Sequence, residues 1–159
     1  MTIRRARLND RDALAALAFR SKAHWGYDDS FMERSRDALT PSDAYLANDP
    51  VFVAVDEHGT AIGFYGFVRE GHELWLNDLF IDPAAIRTGA GRTLFAHAAE
   101  TAHAAGAAAF FIESDPNAEG FYLAMGAARA GERVAASSGR VLPVLRYDLR
   151  TRSRPAASP

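Results

Sequence analysis

The sequence of 159 residues contains no cysteine. This absence excludes a disulfide scaffold, a catalytic thiolate and a zinc site with cysteine ligands. A basic surplus is also missing, because the formal net charge is -2, whereas a nucleic-acid-binding protein normally carries a basic stripe. No apolar run approaches the roughly 20 residues of a membrane span, and the segment after Met1–Arg5 lacks the apolar core of a secretory signal. We therefore expect a cytoplasmic protein with neither nucleic acid nor membrane as partner.

What is present is an ordinary globular composition, with 48% hydrophobic and 24% charged residues. A domain of about 150 residues buries roughly 68–70% of its unfolded surface, so a metal or disulfide staple is not needed. Residues 1–150 are predicted to form a single domain. The end of the chain, 151–159, is rich in Arg, Ser, Ala and Pro and has no apolar anchor, so we expect a disordered tail there.

Hydrophobic periodicity predicts the element order β, two helices, a β-meander, α, β, α, β, β. The strand–helix–strand crossover after the meander should be right-handed, which makes its two strands parallel. We therefore predict an α+β fold (an α/β sandwich), with a mixed, mostly antiparallel sheet and helices on both faces. The predicted strands are Thr2–Leu8, Val51–Val55, Ala61–Val68, Leu74–Ile81, Ala108–Ile112, Arg129–Ala135 and Val141–Leu149, and the predicted helices run from Asn9 or Asp10 to Ala23, Ser30–Leu39, Asp43–Ala47, Thr88–Ala105 and Pro116–Met125.

The most informative stretch combines a strand, a short loop and two glycines that open a helix. The first turn of a helix has amide groups without partners and a partial positive charge. Gly89 and Gly91 have no side chain, so an anion can approach these amides closely. Arg87 and Arg92 add full positive charges. The pattern is typical of a site for a pyrophosphate.

Two other phosphate motifs do not match. The dinucleotide fingerprint needs a third glycine where this chain has Leu94, and the P-loop needs a lysine that is absent here. The segment instead resembles the Gln/Arg-x-x-Gly-x-Gly/Ala loop of the GNAT superfamily of N-acetyltransferases. The family's Gln/Arg position falls on Ile86, so that side-chain contact is either lost or supplied by Arg87. The resemblance implies that acetyl-coenzyme A is the cosubstrate and that no metal is required. Its pyrophosphate would bind Arg87, Thr88, Gly89, Ala90, Gly91 and Arg92, and its pantetheine arm the backbone of Leu79, Phe80 and Ile81.

A second stretch supports the same reading. Asp115 and Pro116 are suited to the cap and first position of a helix. The residues that follow resemble the late GNAT motif Asn-x-x-Ala-x-x-Phe-Tyr-x-x-x-Gly. The resemblance implies that Tyr122 protonates the leaving coenzyme A thiolate. The family's asparagine position falls on Asp115, and Asn117, two residues later, is the candidate contact to the cofactor. The alternative is that Tyr122 is a core aromatic beside Phe121, and the presence of both motifs in order favours the catalytic role.

Transfer to an amine requires a proton acceptor. Asn77 and Asp78 directly precede the predicted pantetheine-binding stretch, and successive strand residues face opposite sides, so only one of them can face the site. We assign Asp78 as the candidate base and Asn77 as a substrate contact. Glu73, Glu113 and Asp115 remain alternative bases, and a water chain to bulk solvent could serve instead.

The acceptor is predicted to contact the segment between the first two helices. In GNAT-like folds this region roofs the acceptor pocket, so Trp25 and Tyr27 either line that pocket or fill the helix junction. Arg140 is a further candidate contact. His97 and His103 are six residues apart on one helix and therefore face different sides, so they do not form a metal pair.

The favoured interpretation is an N-acetyltransferase in which a small-molecule or peptide amine attacks the thioester directly. The alternative is a non-catalytic acyl-coenzyme A-binding regulatory module, and a third option is an unrelated phosphate-binding α/β protein. The sequence leaves the identity of the amine and the formation of a homodimer open.

Overall fold

The computed structural model describes residues 1–136 and 138–150, so the predicted tail 151–159 lies outside the described residues. The chain divides into two compact units. The first comprises Met1–Phe67 and Asp78–Leu94, and the second comprises Val68–Asn77 and the described residues from Phe95 onward. The strands of the described chain are β1 (Thr2–Arg5), β2 (Val51–Val55), β3 (Ala61–Glu70), β4 (Glu73–Ile81), β5 (Ala109–Glu113), β6 (Ala128–Val134) and β7 (Val141–Asp148). Its α-helices are α1 (Arg11–Ala23), α2 (Asp29–Leu39), α3 (Asp43–Asn48), α4 (Ala90–Ala104) and α5 (Glu119–Ala124).

In the first unit, β1, β2 and β3 form an antiparallel ladder. Helix α1 buries Leu14, Leu17 and Ala18, as its periodicity predicts. Asp28 begins α2 because its carboxylate accepts the N–H of Phe31 at 2.7 Å, which is the usual role of an N-terminal cap. These elements give the unit a core of its own.

In the second unit, the pairing of β4 with β5 is parallel, whereas β5 with β7 and β6 with β7 pair antiparallel. An aromatic cluster forms its core. Phe95 of α4 lies 5.8 Å from Phe110 and 5.0 Å from Tyr147, measured between ring centroids. Both strand residues are buried. Edge-to-face and tilted ring contacts of this kind add to the free energy gained by burial alone.

The strand order is β1-β2-β3-β4-β5-β7-β6. With one parallel and several antiparallel pairings, the sheet is mixed and mostly antiparallel, which confirms the predicted α+β class. Strand β4 contributes residues to both compact units. Within the described part of the chain, none of the helices is long and apolar enough to cross a membrane.

Several predicted boundaries were wrong, by one to three residues. Strand β1 ends at Arg5, since a 3-10 turn occupies Leu8–Asp10. Helix α4 begins at Ala90 and ends at Ala104, so Ala105 is exposed and does not face the core. Helix α5 begins at Glu119 instead of Pro116, because the residues before it form a separate turn. Gly106 ends α4 with a φ of 84°, as predicted for a C-terminal glycine.

Candidate active site

The predicted phosphate loop lies in the first unit, between β4 and α4. A 3-10 turn over Pro83–Ala85 follows β4. The hydroxyl of Thr88 donates a hydrogen bond to the carbonyl of Ala85 at 2.5 Å. Arg87 has a φ of 68° and Gly89 a φ of 87°. A positive φ is uncommon for a residue other than glycine and requires support from its surroundings. The loop is therefore held in a specific, partly strained shape.

This shape leaves backbone donors without acceptors. The N–H groups of Arg87, Gly89, Gly91 and Arg92 have no hydrogen-bond acceptor among residues 1–136 and 138–150. The N–H of Ala90 has one long contact, 3.4 Å to the Thr88 hydroxyl. Positive-φ residues next to the start of a helix turn successive amides toward a common point, which is a recurrent way to bind anions. Of the residues predicted to bind phosphate, Arg87, Gly89, Gly91 and Arg92 therefore have available N–H groups, whereas the N–H of Thr88 already donates to the carbonyl of Ala85 at 3.3 Å.

The end of β4 is held close to β3 by a glycine. A Cβ atom at Gly63 would lie 2.7 Å from a methyl carbon of Leu94, 2.9 Å from one of Ile81 and 3.0 Å from the carbonyl oxygen of Phe80. A side chain at this position would require the methyl groups of Leu94 and Ile81 to move and would crowd the backbone carbonyl of Phe80. Gly63 was not identified from the sequence, because a glycine inside a strand signals close approach without naming the neighbour.

The predicted pantetheine-binding residues lie in the same strand. Leu79, Phe80 and Ile81 belong to the first unit and are half-buried. The parallel ladder of β4 with β5 consists of the pairs Trp75 with Phe111 and Leu76 with Ile112. Leu79–Ile81 therefore lie beyond the last pair of that ladder. Their role as backbone partners of a pantetheine arm remains a prediction.

Asn77 and Asp78 fall on either side of the boundary between the units. Strand alternation places Asn77 on the side of β4 that carries Trp75, and Asp78 on the opposite side. Asn77 is exposed and Asp78 is half-buried. Both residues have interaction partners within the described part of the chain. Their assignment as substrate contact and base remains a prediction.

Two of the alternative bases already accept hydrogen bonds. Glu113 pairs with the Nε of Arg133 in a very short contact. Asp115 accepts both the N–H and the Nδ2 of Asn117 at 2.9 Å, and lies 3.8 Å from Arg140. An incoming ammonium group would have to displace these donors, whereas Glu73 is exposed.

A charged cluster in the second unit was missed by the sequence analysis. The guanidinium of Arg133 lies 3.9 Å from the centroid of the Trp75 ring and also donates to Glu70 at 3.1 Å. The indole N–H of Trp75 is buried and has no acceptor among the described residues. Arg133 and Glu70 are 63 positions apart in the sequence, so a local sequence pattern cannot predict that they meet.

Tyr122 lies in the short helix α5 and is 7% exposed. Its ring centroid is 5.3 Å from that of Phe121 and 6.2 Å from that of Phe95. The sequence predicts that Asp115 caps this helix, and that prediction was wrong, because the helix begins at Glu119 and its N-cap is Ala118. Asp115 caps the preceding turn, in which the N–H of Ala118 donates to its carbonyl at 2.9 Å. Tyr122 and Asn117 both belong to the second unit, and their catalytic and cofactor-binding roles remain predictions.

The predicted acceptor contacts differ in their surroundings. Trp25 is 46% exposed. Its ring makes an edge contact with the ring of His24, with 6.0 Å between the two centroids. Tyr27 instead stacks on Phe31. Among the residues that the structure describes, there is no group of three or more His, Cys, Asp or Glu residues that could hold a metal ion.

Most of the chain matches a known protein family. The model of the acetyltransferase (GNAT) family matches residues 14–127. The chain therefore belongs to the GNAT acetyltransferase family, which confirms the resemblance in the sequence. No curated protein sequence matches it significantly.

Solved structures have the same fold. The chain is similar to a GCN5-related N-acetyltransferase from Rhodopseudomonas palustris, with a TM-score of 0.78 and 18% identity over 92% of this chain and 94% of that one. It is similar to the PaiA N-acetyltransferase from Thermoplasma acidophilum in complex with coenzyme A, with a TM-score of 0.75 and 17% identity over 92% and 98%. It is also similar to apo YjaB from Escherichia coli, with a TM-score of 0.67 and 26% identity over 93% and 96%.

Proposed function

We propose that this protein is an N-acetyltransferase that moves an acetyl group from acetyl-coenzyme A to an amine by direct attack. The observation that carries the proposal is the set of unpaired amides at Arg87, Gly89, Gly91 and Arg92. Membership of the GNAT acetyltransferase family supports the proposal that the anion bound by this loop is the pyrophosphate of coenzyme A. A relative with the same fold is solved in complex with coenzyme A.

The loop suits a pyrophosphate for electrostatic reasons. The negative charges of the phosphates would be stabilised by the four backbone N–H groups and by the positive end of α4. The exposed side chains of Arg87 and Arg92 add two positive charges. The positive φ at Arg87 stores backbone strain in the free protein. A loop that already has its bound shape loses less conformational entropy when the ligand binds, and this gain can offset the strain. The backbone of Leu79–Ile81 is the proposed partner of the pantetheine arm.

The reaction itself needs two proton transfers. A neutral amine attacks the thioester carbonyl, the tetrahedral intermediate expels the coenzyme A thiolate, and the amide product loses one proton. In our proposal Asp78 accepts the amine proton, directly or through water, and Tyr122 donates a proton to the thiolate. Asn77, Trp25 and Tyr27 are proposed acceptor contacts, and Asn117 a cofactor contact. The acceptor is a small-molecule or peptide amine.

Two measurements test the proposal. Calorimetric titration with coenzyme A, in buffer with and without EDTA, should show binding that does not depend on metal. Ligand at about 100 times its dissociation constant should also stabilise the fold by roughly 2.7 kcal/mol. Absence of binding would refute the proposal.

Activity separates an enzyme from a regulatory module. Free thiol should appear when acetyl-coenzyme A is mixed with a panel of amines, amino acids and peptides, and mass spectrometry should find a matching gain of one acetyl group in the amine. Tight coenzyme A binding without turnover of any amine would favour the non-catalytic module instead.

A further inference from the structure

Arg20 and Asp82 form an ion pair between helix α1 and the start of the phosphate loop. The Nε and Nη2 of Arg20 both donate to Oδ2 of Asp82, at 3.2 and 2.5 Å, across 62 positions of sequence. The carboxylate side chain is 19% exposed and the arginine side chain 50% exposed. Two charge-assisted hydrogen bonds to a mostly covered carboxylate fix geometry better than an open surface pair does.

Asp82 is anchored to other parts of the first unit as well. Its N–H donates to the carbonyl of Ile62 at 2.8 Å, and its Oδ1 accepts the N–H of Ala84 at 3.0 Å. Burial raises the pKa of this carboxyl, but the hydrogen bonds from Arg20 and Ala84 outweigh it, so the pKa lies below its ordinary value. Asp82 is thus ionised at neutral pH and sets the direction in which the loop leaves β4.

Arg20 also adjoins the residues that we expect to contact the acceptor. Its carbonyl accepts the N–H of His24 at 3.1 Å. The next two amides complete the end of the helix, with Trp25 donating to Lys22 at 3.1 Å and Gly26 to Ala23 at 3.0 Å. We call residues 24–27 the acceptor segment. A single residue therefore contacts the phosphate loop through its side chain and the acceptor segment through its backbone.

We propose that Arg20 is a positioning residue that couples the phosphate loop to the acceptor segment, so that coenzyme A in the loop orders residues 24–27. The inference rests on the proposed function, because it requires the loop to bind coenzyme A. A coupling of this kind is reciprocal: if the cofactor orders the segment, occupation of the segment strengthens cofactor binding by the same factor. The acceptor would then bind best after the cofactor.

The first test is a double-mutant cycle on coenzyme A affinity. Arg20→Gln and Asp82→Asn should each raise the dissociation constant about three- to tenfold, by loosening the loop. The double variant should be little worse than either single one, because both remove the same interaction. Arg11→Gln is the matched control, since Arg11 lies on the same helix, is 45% exposed and pairs with Asp43 at 3.3 Å; it should bind as the wild type does.

The second test measures the coupling itself. In the wild type, saturating coenzyme A should slow hydrogen exchange of the amides of His24, Trp25 and Gly26. In Arg20→Gln, coenzyme A raised to the same occupancy should leave their exchange unchanged, whereas Arg11→Gln should keep the protection. Thermal unfolding of all variants establishes that the fold persists.

The outcomes separate the two proposals. A wild type that does not bind coenzyme A would refute the proposed function and this inference with it. If the wild type binds but Arg20→Gln binds equally well, or shows the same protection of residues 24–26, the function stands and the coupling through Arg20 is wrong.

Discussion

The ring of Tyr27 stacks on the ring of Phe31, with 4.4 Å between centroids and 21° between planes. The ammonium of Lys22 lies 5.3 Å and 5.6 Å from the same two centroids. Cation–π contacts of this kind stabilise a pair of aromatic side chains. Of the two proposed acceptor contacts, Tyr27 therefore already has aromatic and cationic neighbours, whereas Trp25 is nearly half exposed and offers more of its surface to a ligand.

Replacing Trp25 tests this difference. Trp25→Ala should raise the Michaelis constant for the amine about tenfold, since loss of a stacking aromatic removes roughly 1–2 kcal/mol of binding. The Michaelis constant for acetyl-coenzyme A should change less than twofold. Steady-state kinetics with each substrate varied in turn provide the measurement. Leu8→Ala, at another exposed apolar position of the same unit, is the control. If Trp25→Ala changed the Michaelis constants for both substrates equally, Trp25 would have a structural role only.

The pair of Arg4 with Asp10 predicts a pH dependence of stability. Both carboxylate oxygens accept hydrogen bonds from Arg4 at 2.8 Å, and one also accepts the N–H of Arg7 at 2.7 Å. These hydrogen bonds, chiefly those from Arg4, lower the pKa of Asp10. A carboxyl with a depressed folded-state pKa stabilises the protein fully above its unfolded pKa of about 3.9, and the contribution is lost as pH falls through the folded pKa.

Asp10→Asn should therefore lower the free energy of unfolding by about 1 kcal/mol at pH 7. The difference from wild type should stay constant down to about pH 5 and shrink below the reference pKa near 3.9. Urea unfolding at a series of pH values measures it. Asp12→Asn serves as control because the side chain of Asp12 is 94% exposed. If the difference in free energy of unfolding between Asp10→Asn and wild type did not change with pH, the ion pair would not be the source of the stabilisation.

The phosphate loop makes Gly91 a sharp test of cofactor binding. Gly91→Glu adds bulk and a negative charge beside the unpaired amides of Gly89 and Arg92. Since a carboxylate at this position repels the phosphate charges and occupies space beside the amides, we expect calorimetry to detect no coenzyme A binding while far-UV circular dichroism stays close to wild type. Ala104→Glu adds the same charge at an exposed position of the same helix and should bind normally. Normal binding by Gly91→Glu would place the phosphates elsewhere.

Local patterns were sufficient for most of the fold. Val51–Val55 forms a strand with the predicted bounds, because a β-branched run between turn residues has few alternatives. The buried face of α1 also follows from spacing alone. The start of α4 was missed by two residues, since the positive φ values at Arg87 and Gly89 arise from the loop as a whole.

A contiguous motif can propose site residues, whereas contacts that are distant in sequence cannot be proposed in this way. The candidate phosphate-binding residues Arg87–Arg92 are neighbours in the chain, so the motif alone suggests them, and their role remains a prediction. The pair of Arg20 with Asp82 and the cluster of Arg133 on Trp75 join separate elements. Their partners are chosen by strand pairing and helix packing, which a single sequence does not specify at side-chain resolution.

The aromatic surroundings of Tyr122 decide how its proposed role is tested. Its ring is held against Phe121 and Phe95, so replacing the whole side chain would disturb the core of the second unit. Tyr122→Phe removes the hydroxyl alone and keeps the ring contacts. Tyr147→Phe is the matched control, because Tyr147 contacts the same Phe95 ring at 5.0 Å and is similarly buried.

The expelled thiolate has a conjugate acid with a pKa near that of cysteine, about 8.5, and a phenol of reference pKa about 10 can protonate it at neutral pH. General acid catalysis typically contributes about 10²–10⁴-fold, so Tyr122→Phe should reduce turnover on that order while coenzyme A affinity changes little. Tyr147→Phe should retain turnover within about twofold, because it removes no reacting group. We would measure turnover by thiol release and affinity by calorimetry on both variants. Turnover of Tyr122→Phe near that of wild type would make Tyr122 a core aromatic, and an equal loss of turnover and affinity would point to a damaged pocket instead of a missing proton donor.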